Sequence, residues 1–460
     1  MQKSIFIFRR DLRLEDNHGL IAALNESDKV LPVFIFDPVL AKQSAPSYCA
    51  KRMQFLCESL HELHTELTDR GSKLFVYSRN HADVVDTLLA TSEYDAVYVN
   101  RDYTPYARAR DERIADVCQK HNVSFEVHST HLLVEPEDVL KDDGEPYRVY
   151  TPFMKKARSL GDIPEPVSNT HDNYLTSCPV DDLGVAGIRE YEPENPGAIA
   201  QTGGRRAARA IVENFRDFTE YARMRDVPSK HGTTRLSAHL HFGTVSIREV
   251  FHAAEAEMGT SADKYTNELF WRDFYAHIAF HFPHVLRGHN FNDDFDRVVW
   301  EENENWFEAW QNGQTGFPIV DAGMRELKAT GWMHNRVRMI VASFLTKDLH
   351  IDWRRGERHF KAHLVDYDAA NNNGGWQWAA GTGADAAPYF RIFNPWLQQK
   401  KFDPDCVYIK QWIPELADVS PDVVHALDTH ELPDGVEYPQ PIVDHAEERK
   451  RALELYGKAS

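Results

Sequence analysis

An α/β domain with a doubly wound parallel sheet, joined by a long interdomain connection to an all-helical C-terminal domain, is the fold that the sequence predicts. Three observations carry it. Residues 1–130 alternate short apolar runs with amphipathic stretches. Residues 131–197 lose that alternation among prolines and acidic residues. Residues 198–460 keep helical periodicity, with Trp and Phe spread through them. At 460 residues the chain also exceeds one ordinary core.

Ser4–Phe8, Val30–Phe36, Lys73–Tyr77, Ala96–Asn100 and Ser124–Val127 are runs rich in Ile, Val, Phe and Tyr, bounded by polar or turn residues. Strands covered on both faces read this way, because neither face alternates with solvent. Between them, Ala50–Arg70 and Tyr106–His121 repeat apolar residues every three or four positions, as amphipathic helices do. Such alternation builds a parallel sheet with helices on both sides. No GxGxxG follows the first strand, which argues against an ordinary dinucleotide site there. Arg9, Arg10 and Asp11 follow the opening run at once, so it reads as a buried strand and not as a secretory leader. Prolines at 136, 146, 152, 164, 166, 179, 193 and 196 mark residues 131–197 as a connection lying on the surface.

Composition narrows the functional classes. No run of about 18 apolar residues occurs, so no membrane-spanning helix is expected. Cys49, Cys57, Cys118, Cys178 and Cys406 are odd in number and form no CxxC pair. That opposes a disulfide framework and a thiolate zinc site, and fits a reducing cytoplasm. His277, His281 and His284 fall near helical spacing without an HExxH-like carboxylate, so they read as helix-face residues and no metal is expected. A net charge of −19 opposes nucleic-acid binding by the surface as a whole. Charge can be segregated, however, and Arg205, Arg206, Arg209, Arg216, Arg223, Arg225, Lys230 and Arg235 fall in one stretch, while the tail beyond Glu415 is acidic.

Four constellations carry chemistry. His231-Gly-Thr-Thr-Arg-Leu-Ser237 precedes a helical segment, where backbone N–H groups can approach a phosphate. Read alone, the same residues favour an ordinary Ser/Thr N-cap. In Thr266-Asn-Glu-Leu-Phe-Trp-Arg-Asp-Phe-Tyr275, helical spacing puts Glu268, Trp271 and Tyr275 on one face. A carboxyl beside two aromatic rings can bond a base edge while the rings stack on it; a core helix with one satisfied Glu reads equally well. In Gly331-Trp-Met-His-Asn-Arg-Val-Arg-Met339, Asn335 and Met339 share a face, Arg336 flanks them and Arg338 is expected to point elsewhere. An amide, a thioether and a guanidinium suit a planar heteroaromatic near a phosphate. The fourth is Asp366-Tyr-Asp-Ala-Ala-Asn-Asn-Asn-Gly-Gly-Trp-Gln-Trp-Ala-Ala380. Trp376 and Trp378 are two apart, so on a helix one would face a redox cofactor and the other a separate pocket.

Taken together, these motifs resemble those of the photolyase/cryptochrome family. Phe8-Arg-Arg-Asp-Leu-Arg-Leu-Glu-Asp-Asn17, the Gly232–Ser237 loop, NELFWRDFY, MHNRVRM and NNGGWQWAAGTGADAAPYFRIFNP follow the family's order and spacing, and the likeness continues to Val443. The nearest branch is the class I cyclobutane pyrimidine dimer photolyases.

The resemblance implies FAD held in a U shape by the helical domain, active as FADH⁻, giving an electron under blue or near-ultraviolet light to a dimer flipped out of damaged DNA. Carried over by motif, Tyr221, Thr233, Thr234, Arg235, Leu236, Ser237 and Tyr265 hold phosphates and ribitol. Asp366, Tyr367 and Asp368 lie along the flavin and adenosine, Arg338 pairs with Asp366, and Asn372 sits beside flavin N5. Glu268 and Asn335 act on the dimer, with Trp271, Trp378 and Met339 completing its pocket. Arg225, Arg336 and Arg391 meet DNA phosphates. Trp376, Trp353 and Trp300 match the family's electron-transfer tryptophans from flavin to surface. Arg52 and Asp102 match members with an 8-hydroxy-5-deazaflavin antenna, and Ala107 stands where folate binders have glutamate, so deazaflavin is favoured over methenyltetrahydrofolate. The implied protein is a cytoplasmic monomer acting on UV-damaged DNA. Alternatives are a (6-4) photolyase, against which Asn335 replaces an expected histidine, and a cryptochrome-type photoreceptor, against which Asn372 stands.

Overall fold

The computed structural model describes residues 1–45 and 48–458. Five parallel strands, β1 (Lys3–Phe8), β2 (Lys29–Phe36), β3 (Phe75–Ser78), β4 (Ala96–Asn100) and β5 (Ser124–His128), lie in the order β3-β2-β1-β4-β5. The third begins two residues later than its apolar run, because pairing with Val33–Phe36 of β2 starts at Phe75. Alternate side chains serve opposite faces. Phe6, Phe8, Phe34 and Phe36 pack under α1 (His18–Glu26) and α2 (Ala50–Asp69). Ile5, Ile7, Val33 and Ile35 pack under α3 (His81–Thr91) and α4 (Pro105–Lys120). Both faces are dry, which is why these strands read as continuous apolar runs. The strand order reverses between β1 and β4, so the loops leaving their C-terminal ends diverge and open a crevice.

Residues 131–197 are more than a surface connection. Tyr150, Phe153 and Ala157 give α5 (Tyr150–Ser159) a buried stripe at i, i+3 and i+7, packed on α6 (Ala262–His281). Tyr174 is fully buried, and the backbone beside it bonds to both sides of Val30. Pro152 marked a break in the sequence, but it falls in the first turn of α5, where no helical N–H is lost.

The remaining chain is helical. The pieces that shape the site are α6, α7 (Asn335–Lys347), α8 (Trp353–His363), α9 (Ala369–Ala380), α10 (Pro395–Phe402) and α11 (His445–Gly457). Each of α7, α8 and α9 starts at a side-chain cap, His334, Asp352 and Asp368 respectively. Gly381 ends α9 in the left-handed conformation. The two halves meet closely. Asp16 and Arg248 form a buried ion pair at 2.9 Å, and Leu12 N–H bonds the Phe242 carbonyl. Gly243, at φ +67°, lets the Arg10 carbonyl approach where a Cβ would stand 2.1 Å from it.

Candidate active site

A cavity of about 430 Å³ opens between α6, α7 and α9. From α6 come Lys264, Glu268, Trp271, Arg272 and Tyr275, the face expected from spacing. From α7 come Asn335, Arg338, Met339 and Ala342, at i, i+3, i+4 and i+7. Arg338 therefore shares the face of Asn335 and does not point elsewhere; three residues is nearly a full turn. Its guanidinium meets Asp366 at 2.9 Å. From α9 come Asn371, Asn372, Gly375, Trp376 and Trp378.

Trp376 and Trp378 line this one cavity rather than two pockets. Trp376 is buried, with its ring edge-on to Phe360 at 4.9 Å, whereas Trp378 is half-buried beside Phe393. They approach the same space from its dry and wet sides. The asparagine run is divided. Asn373 is structural, bonding the Val285 carbonyl and Glu357 at 3.0 Å each. Asn372 donates its amide N–H to the Glu357 carbonyl at 3.2 Å, which leaves its amide oxygen as acceptor at the cavity.

Asp366, Tyr367 and Asp368 lead from a turn into the N-cap of α9. Asp366 and Asp368 line the first cavity, whereas Tyr367 lines a second. Asp368 is the hub. It caps α9 and pairs with Arg10 at 2.5 Å across the interface between the halves. Burial works against its carboxylate, but Arg10, His241 and Arg272 overcome it and hold the group well below the usual carboxylate range.

The expected phosphate loop is a separate cluster. The helix Ser237–Phe242 starts after Leu236 with no side-chain cap, so the N-cap reading of this loop fails. Thr234 is instead bonded to the Tyr265 hydroxyl at 3.0 Å, Tyr265 meets Tyr221 edge-on at 5.1 Å, and Arg235 lies over Trp332. Tyr221, Thr233, Thr234, Arg235, Leu236, Ser237 and Tyr265 are not among the cavity's lining residues. Tyr265 precedes Glu268 by one turn on the same face of α6, so the cluster adjoins that wall. Arg336 is also outside the lining, paired with Asp226 at 2.8 Å and lying over Phe402 of α10. Arg391 is exposed. The Arg205–Arg235 stretch is not a bare basic face: Arg206, Arg209, Arg216, Arg223 and Arg225 pair with Glu62, Glu213, Glu257, Glu220 and Glu268.

Behind Trp376 lies α8. A Cβ on Gly356 would stand 2.1 Å from the Trp376 ring, so the indole rests on α8 one turn from Trp353. Trp353 is fully buried and donates its indole N–H to Asn290 at 3.0 Å. Trp300 is half-buried, edge-on to Tyr456 of α11 at 6.2 Å, and its neighbour Glu301 bonds the His350 carbonyl just ahead of α8. Of the three indoles, Trp376 lines the cavity, Trp353 is fully buried and Trp300 reaches partly into solvent.

A second cavity, of about 330 Å³, sits at the strand ends where β1 and β4 diverge. Phe34, Phe36 and Tyr367 give it apolar walls, and Arg10, Arg52, Asp102 and Arg110 give it charge. Arg52 donates to the Lys361 and Leu364 carbonyls at 2.9 Å and lies over Tyr367. Sequence reasoning missed Lys264, Arg272 and Asn371 at the first cavity, though helical spacing from Glu268 could have found the first two. Among the described residues, no group of three or more His, Cys, Asp or Glu could hold a metal, and no helix is long and apolar enough to cross a membrane.

The donor set suits FAD. Asp366 keeps a buried carboxylate oxygen without a partner, Asn372 offers an acceptor, Arg338 is cationic, and Gly375 leaves open the space its side chain would take. Comparison with known proteins agrees. Residues 4–169 match the DNA photolyase family model, and residues 265–458 match the FAD binding domain of DNA photolyase. The chain is 37% identical to the deoxyribodipyrimidine photo-lyase of Halobacterium salinarum, over 99% of each chain. It is 39% identical to that of Escherichia coli, over 98% of each. An archaeal photolyase structure from Sulfolobus tokodaii, described with two FAD molecules that imply a novel light-harvesting cofactor, superposes with TM-score 0.89 at 40% identity, covering 99% of this chain and all of that one. A Synechocystis cryptochrome superposes with TM-score 0.91 at 27% identity, covering 99% of each. With the flavin-suited cavity, the switch-point crevice and full-length relatives in agreement, the chain belongs to the DNA photolyase family.

Proposed function

We infer that this protein is a deoxyribodipyrimidine photo-lyase, which uses blue or near-ultraviolet light to split cyclobutane pyrimidine dimers in DNA. The observation that carries this reading is one cavity in which a carboxyl, Glu268, and two indoles, Trp271 and Trp378, face the Asn372 and Asp366 that suit a flavin. Reduced FAD, when bound and excited by light, supplies the electron that opens the cyclobutane ring and recovers it afterwards.

The protein's own residues do the rest. Trp271 and Trp378 clamp the flipped dimer and exclude water. Trp271 is preset for this, stacked on Tyr150 at 3.7 Å and 8°. Glu268, with Asn335 and Met339, meets the polar edge of the pyrimidines, and a proton held at its carboxyl would stabilise charge arriving on a carbonyl oxygen. Arg225, Arg336 and Arg391 meet phosphates near the mouth. Arg338, Asp366, Asp368 and Asn372 hold the flavin from the cavity side, and the Tyr221, Thr233–Ser237 and Tyr265 cluster holds its phosphates and ribitol. Trp376, Trp353 and Trp300 carry oxidising equivalents to the surface.

The second cavity takes an antenna chromophore. Its flat aromatic walls, Arg52 and Asp102 favour a tricyclic ring of the 8-hydroxy-5-deazaflavin kind over methenyltetrahydrofolate. A (6-4) lyase is disfavoured because His334, the histidine of the MHNRVRM motif, is buried as the cap of α7, leaving Asn335 to face the cavity.

The test offers chemically reduced protein two oligonucleotides under blue light, one with a cyclobutane dimer and one with a (6-4) lesion. Restoration of the first alone is expected. Binding without repair of either would favour a photoreceptor of the cryptochrome kind, and repair of the second would overturn the lesion assignment.

A further inference from the structure

Arg225 and Asp226 are sequence neighbours of opposite charge, just after the single helical turn Tyr221–Met224. They tie down opposite walls of the cavity. Arg225 pairs with Glu268 on α6, and Asp226 accepts from Arg336 on α7 at 2.8 Å. In both pairs the carboxylate is the more exposed partner: Glu268 is 33% exposed against 14% for Arg225, and Asp226 38% against 18% for Arg336. Each arginine therefore carries a carboxylate on its solvent side, where an arriving DNA phosphate would have to sit. Arg336 also keeps a buried Nε–H without a partner, a donor unused in the free protein.

We propose that this strap couples capture of DNA phosphates to proton uptake by Glu268, with Asp226 a positioning residue that competes with phosphate for Arg336 whether or not the strand carries a lesion. The idea rests on the photo-lyase reading above. A phosphate and the Glu268 carboxylate compete for Arg225, and two anions on one half-buried cation repel. Taking one proton from solvent removes that repulsion. The carboxylate becomes a carboxyl, Arg225 passes to the phosphate, and the new O–H can donate to a pyrimidine carbonyl in the cavity. No electron moves in this exchange. DNA without a flipped dimer presents no carbonyl to that O–H, so the proton gains nothing there and the carboxylates continue to repel.

The groups facing Glu268 are Arg225 and Tyr221 from the strap, Tyr150 from α5, and Lys264, Arg272 and Tyr275 from its own helix. Arg338 and Asp366 stand across the cavity as a mutual pair. Once Arg225 has gone to a phosphate, the phenols and the other cations remain, and Lys264 and Arg272 are the groups that oppose uptake.

The experiment is titration calorimetry in the dark with FAD-loaded protein and a single-stranded oligonucleotide bearing one cyclobutane dimer, near pH 7.5, in buffers of different ionisation enthalpy. Uptake of about one proton per site is expected, with affinity falling about tenfold per pH unit wherever uptake is complete. Glu268→Gln, checked for FAD content, should bind with no uptake and a flat pH profile. Asp226→Asn should keep the uptake and bind the dimer strand and an undamaged strand alike about fivefold more tightly. Uptake near zero in the unaltered protein, or uptake that survives in Glu268→Gln, would overturn the coupling while leaving the photo-lyase reading intact. Absence of any preference for the dimer strand would instead sink that reading, and this one with it.

Discussion

Trp376 is fixed by what is missing beside it. Only the absence of a side chain at Gly356 lets the indole lie on α8, so two substitutions test its role from both sides. Trp376→Phe should abolish photoreduction of bound oxidised FAD while chemically reduced protein still repairs dimers; equal loss of both activities, read by absorbance and strand restoration, would contradict an electron-relay role. Gly356→Ala forces the ring to move. It should cost about 1–3 kcal/mol of stability in denaturant titration and slow photoreduction more than repair.

At the scale of elements, α9 gathers the chemistry because its two ends are held by different halves of the protein. Its N-cap, Asp368, is gripped by Arg10 from the loop after β1, and its middle lies so close to α6 that a Cβ on Gly374 would stand 2.0 Å from the Tyr275 ring. Asp368→Asn keeps an oxygen for the cap and removes only the charge, leaving the half-buried Arg10 with Asp102, at 3.5 Å, as its remaining carboxylate. Losing a charged hydrogen bond of this half-buried kind costs about 1.5–3 kcal/mol, so the variant should unfold at lower denaturant and release FAD early. Arg248→Gln, which breaks the interlobe pair at Asp16, should destabilise without the same selective loss of flavin. Matching flavin retention in the two variants would remove Asp368 from the site.

For the molecule as a whole, the seam between the halves is sensitive to acid. His239 rests edge-on against Phe55 of α2, bonds Thr244 through Nδ1, and has a buried Nε2 without a partner. Burial alone pulls its pKa down to about 4. The unfolded chain takes a proton at this histidine below about 6.5, where the folded one still refuses it. Its contribution is therefore present above that pH and lost as pH falls toward 4, by about 1.4 kcal/mol per pH unit. The stability advantage of the protein over His239→Gln should shrink by that slope in denaturant titrations between pH 6.5 and 4.5; an unchanged difference would mean that the imidazole is not buried neutral. Charge pairing across the Arg205–Arg235 stretch has a consequence on the same scale. With contacts limited to Arg225, Arg336 and Arg391, log affinity for a single-stranded dimer substrate should fall against log salt with a slope of about −2. A slope steeper than about −5 would show a broad basic face.

The sequence by itself determined the parallel sheet, its strand runs, the helical second half, and the residue types of the photochemical cavity. These are local properties: two-sided burial writes apolar runs, and helix period puts Glu268, Trp271 and Tyr275 on one face. Only tertiary structure decided that Arg338 faces the cavity, that Tyr367 lines the other one, that Trp376 and Trp378 share a space, and that residues 150–159 form a helix with one buried face among prolines. It also decided that Arg206, Arg216 and Arg225 of the arginine-rich stretch are paired with glutamates far away in the chain. Pairing across 43 residues, as between Arg225 and Glu268, or across 358, as between Arg10 and Asp368, leaves no periodic trace in sequence. Electrostatic partners are chosen by proximity after the chain has folded, whereas helix and strand periods are set by bonds between near neighbours.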